Sequence, residues 1–368
     1  MSSSTVIIII LLAIALGAAF IFTRGERFEL PTGETTPLNT EETTEAELNN
    51  IKASEGTEKE EVLDGVNDGS TIEIPGTSSR EIFVTDGTKH SIPINEILSG
   101  GPPKDGIPSI DNPKFVNISE ADEYLSDDNP GLGLSYKGET RFYPYSILVW
   151  HELVNDTVAG DPLLISYCPL CLTGIIFDRE LNGSPTEFGV SGRLWRSNLL
   201  MYNRTPNEDD ESLWSQVLGE AVLGIHTGRK LTIIPSDAVL YGDWKGKHPK
   251  TKILSQDTGF SRNYGRDPYG NYYTNRDVSF GASFNDDRLH PKVYVLGIEI
   301  DGKFKAYDNE ALPIGETKDI FLGNDITIEK SNIGGVRMFI GARRQPLPYI
   351  GAFWFSWLAV HPDTELFN

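Results

Sequence analysis

Apolar and polar positions along the chain fall into three regimes. Thr5 to Thr23 is a nearly unbroken apolar run, from Val6-Ile7-Ile8-Ile9-Ile10-Leu11-Leu12 through Ala- and Gly-containing turns to Phe22. About 18 such residues are enough to span a hydrocarbon core. Glu34 to Asp68 is rich in Glu, Thr, Asn, Ser and Gly and poor in aromatics, which predicts a solvated, disordered linker. Beyond it, short alternating apolar segments separated by Gly, Asn and Asp turns predict strands. The chain therefore divides into an N-terminal anchor or uncleaved signal over 1–27 and an acidic Thr/Glu-rich linker over 28–80. A first lobe then covers 81–255, and a Tyr/Gly/Arg-rich loop with a second lobe covers 256–368.

Two body segments resemble each other. Leu132-Gly133-Leu134-Ser135-Tyr136-Lys137-Gly138-Glu139-Thr140-Arg141-Phe142-Tyr143 aligns with Leu296-Gly297-Ile298-Glu299-Ile300-Asp301-Gly302-Lys303-Phe304-Lys305-Ala306-Tyr307. Each reads as a β-hairpin, with glycine supplying the positive φ of the tight turn. A helix is expected after each, over Pro144 to Leu153 and, more weakly, Asn309 to Leu312. A second pair, Trp244 to Thr251 and Trp357 to Thr364, places Trp and His at i and i+4, followed by Pro. On a helix the two rings share a face, and the proline ends the helix. In each, the tryptophan is expected to pack the core and the histidine to cap the last turn.

Between these repeats, Asp161 to Tyr167 predicts a buried strand. Gly174 to Asp178 and Thr186 to Val190 predict a hairpin around Asn182-Gly183, and Asn198 to Tyr202 a further strand. Ser212 to Gln216 reads as a helix or turn, Val336 to Ile340 as a strand and Ile350 to Val360 as an aromatic helix. The run Gly259 to Tyr273 reads as an ordered loop, either a lid or a packing strap. The fold class is α+β and β-dominated. It has two related lobes built from β-hairpin plus short helix units, the first interrupted by extra material, after a single N-terminal transmembrane helix and a disordered acidic linker.

The formal charge of −21 removes nucleic acid as a partner, because phosphate binding needs a basic face. No Lys or Arg precedes the apolar run, and only Arg24 and Arg27 follow it, interleaved with Glu26 and Glu29. Those arginines vote for a cytoplasmic body, but the Thr/Glu stalk is typical of a tether outside a membrane. The reading adopted is a single-pass anchor with the body outside, at the cell surface. Asn117, Asn155, Asn182 and Asn203 each begin a glycosylation sequon, in keeping with that side.

Against this background the cysteines stand out. The chain holds two, Cys168 and Cys171, in Ser166-Tyr167-Cys168-Pro169-Leu170-Cys171-Leu172-Thr173-Gly174. Thiols this close can share a metal ion, exchange a disulfide or clip a tight turn. Two thiolates plus a histidine make a soft site for copper or zinc, with His151 as first candidate and His248, His290 and His361 as alternatives. Thiol–disulfide exchange is the redox reading, although strand–turn–strand flanks do not resemble the helix-capping cysteine of thioredoxin-type proteins. A structural disulfide is the plainest reading. In a different class, the body is a recognition module that meets a protein or glycan through Tyr264, Tyr269, Tyr272 and Tyr273. Phe188-Gly189-Val190-Ser191-Gly192 lacks the spacing of a nucleophile elbow, so Ser191 is a weak hydrolase candidate. Arg193 and Arg196, flanking Trp195, could bind an anion or a sugar, or equally pair with carboxylates.

Several segments together resemble the domain-of-unknown-function 3179 family. They are Trp150-His151-Glu152-Leu153-Val154-Asn155-Asp156, Tyr167-Cys168-Pro169-Leu170-Cys171, Phe188-Gly189-Val190-Ser191-Gly192, Leu200-Met201-Tyr202-Asn203-Arg204 and Ser212-Leu213-Trp214-Ser215-Gln216. His290-Pro291-Lys292 and His361-Pro362-Asp363-Thr364-Glu365-Leu366 complete the set. The resemblance runs from about Pro113 to the C-terminus. It implies an exported or membrane-anchored protein and names no activity. Asn203 stands where the resemblance leads one to expect an acidic residue.

Overall fold

The computed structural model describes residues 80–332 and 335–367. The expected anchor over Thr5 to Thr23 and the acidic linker to residue 79 lie outside the described residues. Among the described residues no helix is long and apolar enough to cross a membrane.

Short strands dominate. After β1 (Phe83–Thr85), β2 (Thr88–His90), β3 (Ile97–Ser99), β4 (Phe115–Val116) and the one-turn helix α1 (Ile118–Ala121), a hairpin forms from β5 (Pro130–Tyr136) and β6 (Glu139–Pro144). Helix α2 (Tyr145–His151) follows, then β7 (Leu153–Val158), β8 (Asp161–Cys168) and β9 (Thr173–Asp178). A small hairpin, β10 (Glu180–Leu181) and β11 (Ser184–Pro185), leads to β12 (Phe188–Trp195), β13 (Asn198–Asn203), β14 (Ser212–Ser215) and β15 (Glu220–Gly224). The chain then completes the first lobe with β16 (Ile233–Ile234), β17 (Asp237–Leu240), α3 (Tyr241–Lys247) and β18 (Lys252–Leu254). After the long loop come β19 (Tyr294–Ile300), β20 (Lys303–Asp308), β21 (Gly315–Phe321), β22 (Asn324–Lys330), β23 (Val336–Ile340), β24 (Gln345–Pro346), β25 (Ile350–Phe353), α4 (Trp354–Val360) and β26 (Glu365–Leu366).

The segments that match in sequence occupy matching places. One sheet runs β17-β5-β6-β18 with β4 at its edge, and another runs β25-β19-β20-β26. In both, the outer strand before the helix pairs antiparallel and the strand after it pairs parallel. Two further sheets, β16-β9-β8-β7 and β21-β22-β23-β24, correspond in the same way. The joints between paired sheets share a Tyr–Asp pair with a basic side chain on the carboxylate. Tyr143 donates to Asp156 at 2.7 Å and Tyr307 to Asp319 at 2.8 Å, with Arg141 on the first carboxylate and Lys305 on the second.

Helices α3 and α4 show why Trp and His recur. Trp244 lies on Gly133 and Trp357 on Gly297, and a Cβ on either glycine would come within 2.3 Å of the indole ring. Each indole N–H donates to a threonine, Trp244 to Thr251 at 2.9 Å and Trp357 to Thr364 at 3.0 Å. The histidine backbone N–H, rather than its ring, closes the last helical turn. The rings lie tilted against the indoles, with centroids 4.1 Å and 4.3 Å apart.

The extra material in the first lobe is a seven-stranded sheet, β1-β2-β15-β14-β13-β12-β3. Sheet β16-β9-β8-β7 is therefore covered on both faces. One face meets β5, β6 and α2, and the other meets β12, β13 and β14. Four local expectations are corrected. Ser212 to Ser215 is a strand, not a helix, because β13 and β15 hold it on both edges. Asn182-Gly183 closes two-residue arms only, and Phe188 onward pairs with β13. Asn309 to Leu312 is a turn. Ile350 to Phe353 is a strand, and the aromatic helix begins at Trp354.

Gly133→Ala or Gly297→Ala should lower the stability of the full-length protein by about 1–3 kcal/mol through overpacking against the indole. Gly246→Ala, inside α3 with open space around a Cβ, should instead be neutral or stabilising by up to about 1 kcal/mol. Urea-unfolding midpoints of the three variants check this.

Candidate functional site

Strand β8 delivers the cysteines. Its side chains alternate between faces. Leu163, Ile165 and Tyr167 join the core under α2, and Leu164 and Cys168 join the core under β12–β14. Pro169–Cys171 make a single 3₁₀ turn, and Leu172 at φ +50° reverses the chain into β9. Both cysteines are free thiols, 1% and 0% exposed.

Two more turns with positive φ close around the sulfurs. Glu152, just after α2, has φ +58°, and its carbonyl accepts the Tyr167 N–H at 2.7 Å. Arg196 and Ser197, at φ +50° and +66°, turn β12 into β13. The Ser197 carbonyl accepts from both thiols, 3.4 Å from Cys171 Sγ and 3.7 Å from Cys168 Sγ. None of these residues is glycine, so each conformation costs on the order of 1 kcal/mol or more and is held by its surroundings.

A buried polar chain ties the sulfurs to the inserted sheet. Asn198 Nδ2 donates to Cys171 Sγ at 3.6 Å and to Gln216 Oε1 at 3.0 Å. Gln216 Nε2 donates to Ser166 Oγ and to the Thr173 carbonyl, and Asn198 Oδ1 accepts from Ser215 Oγ and the Val217 N–H. The Ser356 hydroxyl on α4 is buried with no hydrogen-bond partner and lies near enough to favour the ionised form of Cys171.

These contacts split the two thiols. Burial, then the hydrogen bond and charge of Cys171, push the Cys168 thiol well up. Burial also opposes ionisation of Cys171, but donors from Cys168, Ser356 and Asn198 outweigh it and bring that thiol down. Glu152, 6% exposed, is pushed up to about 8, first by burial and then by Cys171. The site thus combines a thiol brought down, a thiol pushed up and a carboxyl group able to take or give a proton near neutral pH.

The loop after β18 covers this cluster. Tyr272 packs on the core that contains both cysteines, and its hydroxyl donates to the Leu170 carbonyl between them at 2.9 Å. Tyr269 touches the cores on both faces of β8, and Tyr273 packs near Phe353. A cavity of about 490 Å³ lies beside the turn, lined by Tyr145, Tyr167, Leu172, Tyr264, Arg266 and Tyr273 among others, and the sulfurs are not part of its wall.

The candidate histidines are placed elsewhere. His151 Nδ1 meets the Pro108 carbonyl at 2.8 Å and Nε2 meets Tyr264 Oη at 2.7 Å, so both ring nitrogens are engaged. His248 lies tilted against Trp244, and His290 Nδ1 accepts the Lys292 N–H. His361 is sandwiched against Phe304 and Trp357, and burial with Arg80 and Lys230 nearby lowers it to about 3. Among the described residues no three His, Cys, Asp or Glu side chains come together to hold a metal ion.

Other motif residues have structural duties. Asn155 is buried on Asp111 and Phe188, and Asn203 accepts from the Ser212 N–H and Trp214 Nε1, so two sequons are internal. Ser191 Oγ donates to the Leu200 carbonyl at a β-bulge. Arg196 pairs with Glu96 and lies over Trp195. Glu152, Asn198, Gln216 and Ser356 are the site residues that motif reading passed over. Their signal was polarity inside otherwise apolar segments.

Glu152 carries a stability prediction. Its folded value lies above the ordinary carboxyl value of 4.5. The folded state therefore binds its proton more tightly than the unfolded state, and stability falls as pH rises from about 4.5 to about 8. Glu152→Gln should flatten that decline, as read from chemical unfolding at pH 5, 6.5 and 8.

The model of one family, "Protein of unknown function (DUF3179)", matches residues 104–338. No curated protein and no solved structure matches the chain. The matched span covers more than half of the sequence, and the chain belongs to the DUF3179 family.

Proposed function

We propose that Cys168 and Cys171 are a redox-active dithiol–disulfide pair, with Glu152 as its proton acceptor, on a body held outside the membrane by the Thr5 to Thr23 run. The observation that carries this reading is the buried Glu152 carboxyl within electrostatic reach of a thiol pair of unequal acidity. A structural disulfide needs no buried acid. A dithiol that loses two protons on oxidation gives such a group a use. An oxidising compartment would supply partner disulfides.

The exchange is written with a disulfide-bearing partner as oxidant. The Cys171 thiolate attacks one partner sulfur, forming a mixed disulfide and releasing a partner thiolate. Cys168 then passes its proton to Glu152 and attacks the Cys171 sulfur. The Cys168–Cys171 bond closes, and the second partner thiolate leaves. Two electrons pass to the partner, and the proton on Glu152 goes to a leaving thiolate or to solvent.

A soft metal ion on the same sulfurs is the second reading. Zinc calls for four ligands, which two sulfurs do not supply. Copper(I) is the better candidate, because it prefers thiolate ligands and the sulfurs face each other. A non-catalytic recognition module with a structural disulfide is the remaining alternative.

Equilibration of the full-length protein in glutathione redox buffers, followed by thiol trapping, tests the proposal. We expect a single two-electron transition at a potential above about −300 mV, absent from Cys168→Ser and Cys171→Ser. A potential below that, or no transition, overturns the redox reading. One equivalent of copper that disappears in the double serine variant would favour the second reading.

A further inference from the structure

We infer that Lys292 and Tyr272 form a latch that controls access to the cysteine pair. The latch deepens the redox reading and takes its purpose from it, but its geometry stands alone.

Lys292 is 7% exposed and precedes β19 in the second lobe. Its ammonium donates to the Tyr272 carbonyl at 2.6 Å and to Asn275 Oδ1 at 3.4 Å. The same nitrogen lies 3.3 Å from the centroid of the Tyr272 ring, with Phe353 and Phe355 behind it. Among the described residues it has no carboxylate within ion-pair distance, and Asp277 acts on it only from farther off. Burying an ammonium without an ion pair is costly, by several kcal/mol in general. Here the return on that cost is the fixing of one tyrosine by its carbonyl and its ring face together.

That tyrosine is the cover of the site. Its hydroxyl holds the Leu170 carbonyl, midway along the Cys-Pro-Leu-Cys turn, and its ring packs on the core that contains both sulfurs. The links Lys292 to Tyr272 to Leu170 therefore join the second lobe to the redox turn through the loop. Both thiols are sealed while the links hold. An exchange partner reaches Cys171 only after Tyr272 leaves Leu170, so the latch sets the rate at which the pair can meet a partner disulfide. Backbone contacts elsewhere in the loop, such as the Ser197 N–H to the Phe280 carbonyl at 2.9 Å, can persist while Tyr272 swings out.

The test is the rate of thiol alkylation by a maleimide in the reduced, folded full-length protein. Tyr272→Phe keeps the ring and removes the Leu170 link, and should speed alkylation roughly tenfold. Lys292→Met removes the fastening of Tyr272 and should speed it by roughly 10–100-fold. Gly297→Ala, which weakens the second lobe without touching the loop, should label at the wild-type rate under the same conditions. Rates equal to wild type in the Tyr272 and Lys292 variants, or rates that merely equal each variant's global unfolding rate, overturn the latch. The glutathione titration is independent of these rates. A pair that labels faster when unlatched but never cycles would refute the redox reading and leave the latch standing.

Discussion

Two sulfurs lie in an apolar seam between sheet β16-β9-β8-β7 and strands β12–β14, and the buried Glu152 carboxyl is within electrostatic reach of them. An isolated thiolate or carboxylate in such a seam is heavily penalised, so each ionisation is decided by the donors aimed at it. Asn198, Ser356 and Cys168 converge on Cys171, and nothing comparable reaches Glu152. The seam therefore brings the Cys171 thiol down and pushes the Glu152 carboxyl up, so that the two groups are drawn toward each other in acidity. The Asn198–Gln216–Ser166 chain keeps Asn198 aimed and binds the inserted sheet to the strand that carries the cysteines. The inserted sheet thus does two jobs at once, closing the core and setting the acidity of the pair.

The duplication explains why the site is single. The register that pairs Asp156 with Leu163 and Asp319 with Ile326 puts Cys168 and Ser331 at the same step along β8 and the chain leaving β22. In the second lobe that serine bonds Asp243 and the Gly335 N–H, an ordinary turn contact. The frame shared by both lobes, Trp on Gly and Tyr on Asp, carries the fold without any sulfur. Only the copy that acquired the inserted sheet can bury a thiol pair on its outer face, because only there does a second layer cover it.

Much of the frame was legible in the sequence, and for local reasons. The hairpins announce themselves through Lys137-Gly138 and Asp301-Gly302, and the Trp-His helices through their i, i+4 spacing. The end of a buried strand at Cys168 was equally clear. What local patterns could not provide was pairing over distance. Ser212 to Gln216 reads as a helix or turn because five residues show no period, and only the flanking strands β13 and β15 make it extended. His151, near the end of the helix after the first hairpin, reads as the first ligand candidate, but its distance from Cys168 in sequence leaves the fold to bring them together. Its ring lies on the α2 side of β8, bonded to Tyr264, whereas the sulfurs face the opposite side. Glu152, one residue later, turns inward because its positive φ breaks the helical direction, and no sequence periodicity carries that information.

The unusual backbone at the site bears on the comparison with thioredoxin-type proteins. There a long helix lowers the pKa of the cysteine at its N-terminus. Here the turn after Cys168 is three residues long and gives way to a strand, so no helix dipole is on hand. The protein brings the Cys171 thiol down by a different route, through Asn198 and Ser356 from two distant segments together with Cys168 of the motif itself, and through turns at Glu152, Leu172 and Arg196–Ser197 held at positive φ. Such an arrangement has no stability of its own. It persists because the Trp-on-Gly and Tyr-on-Asp joints fix the strands on which those turns sit, which makes the acidity of Cys171 a property of the whole body rather than of its four-residue motif.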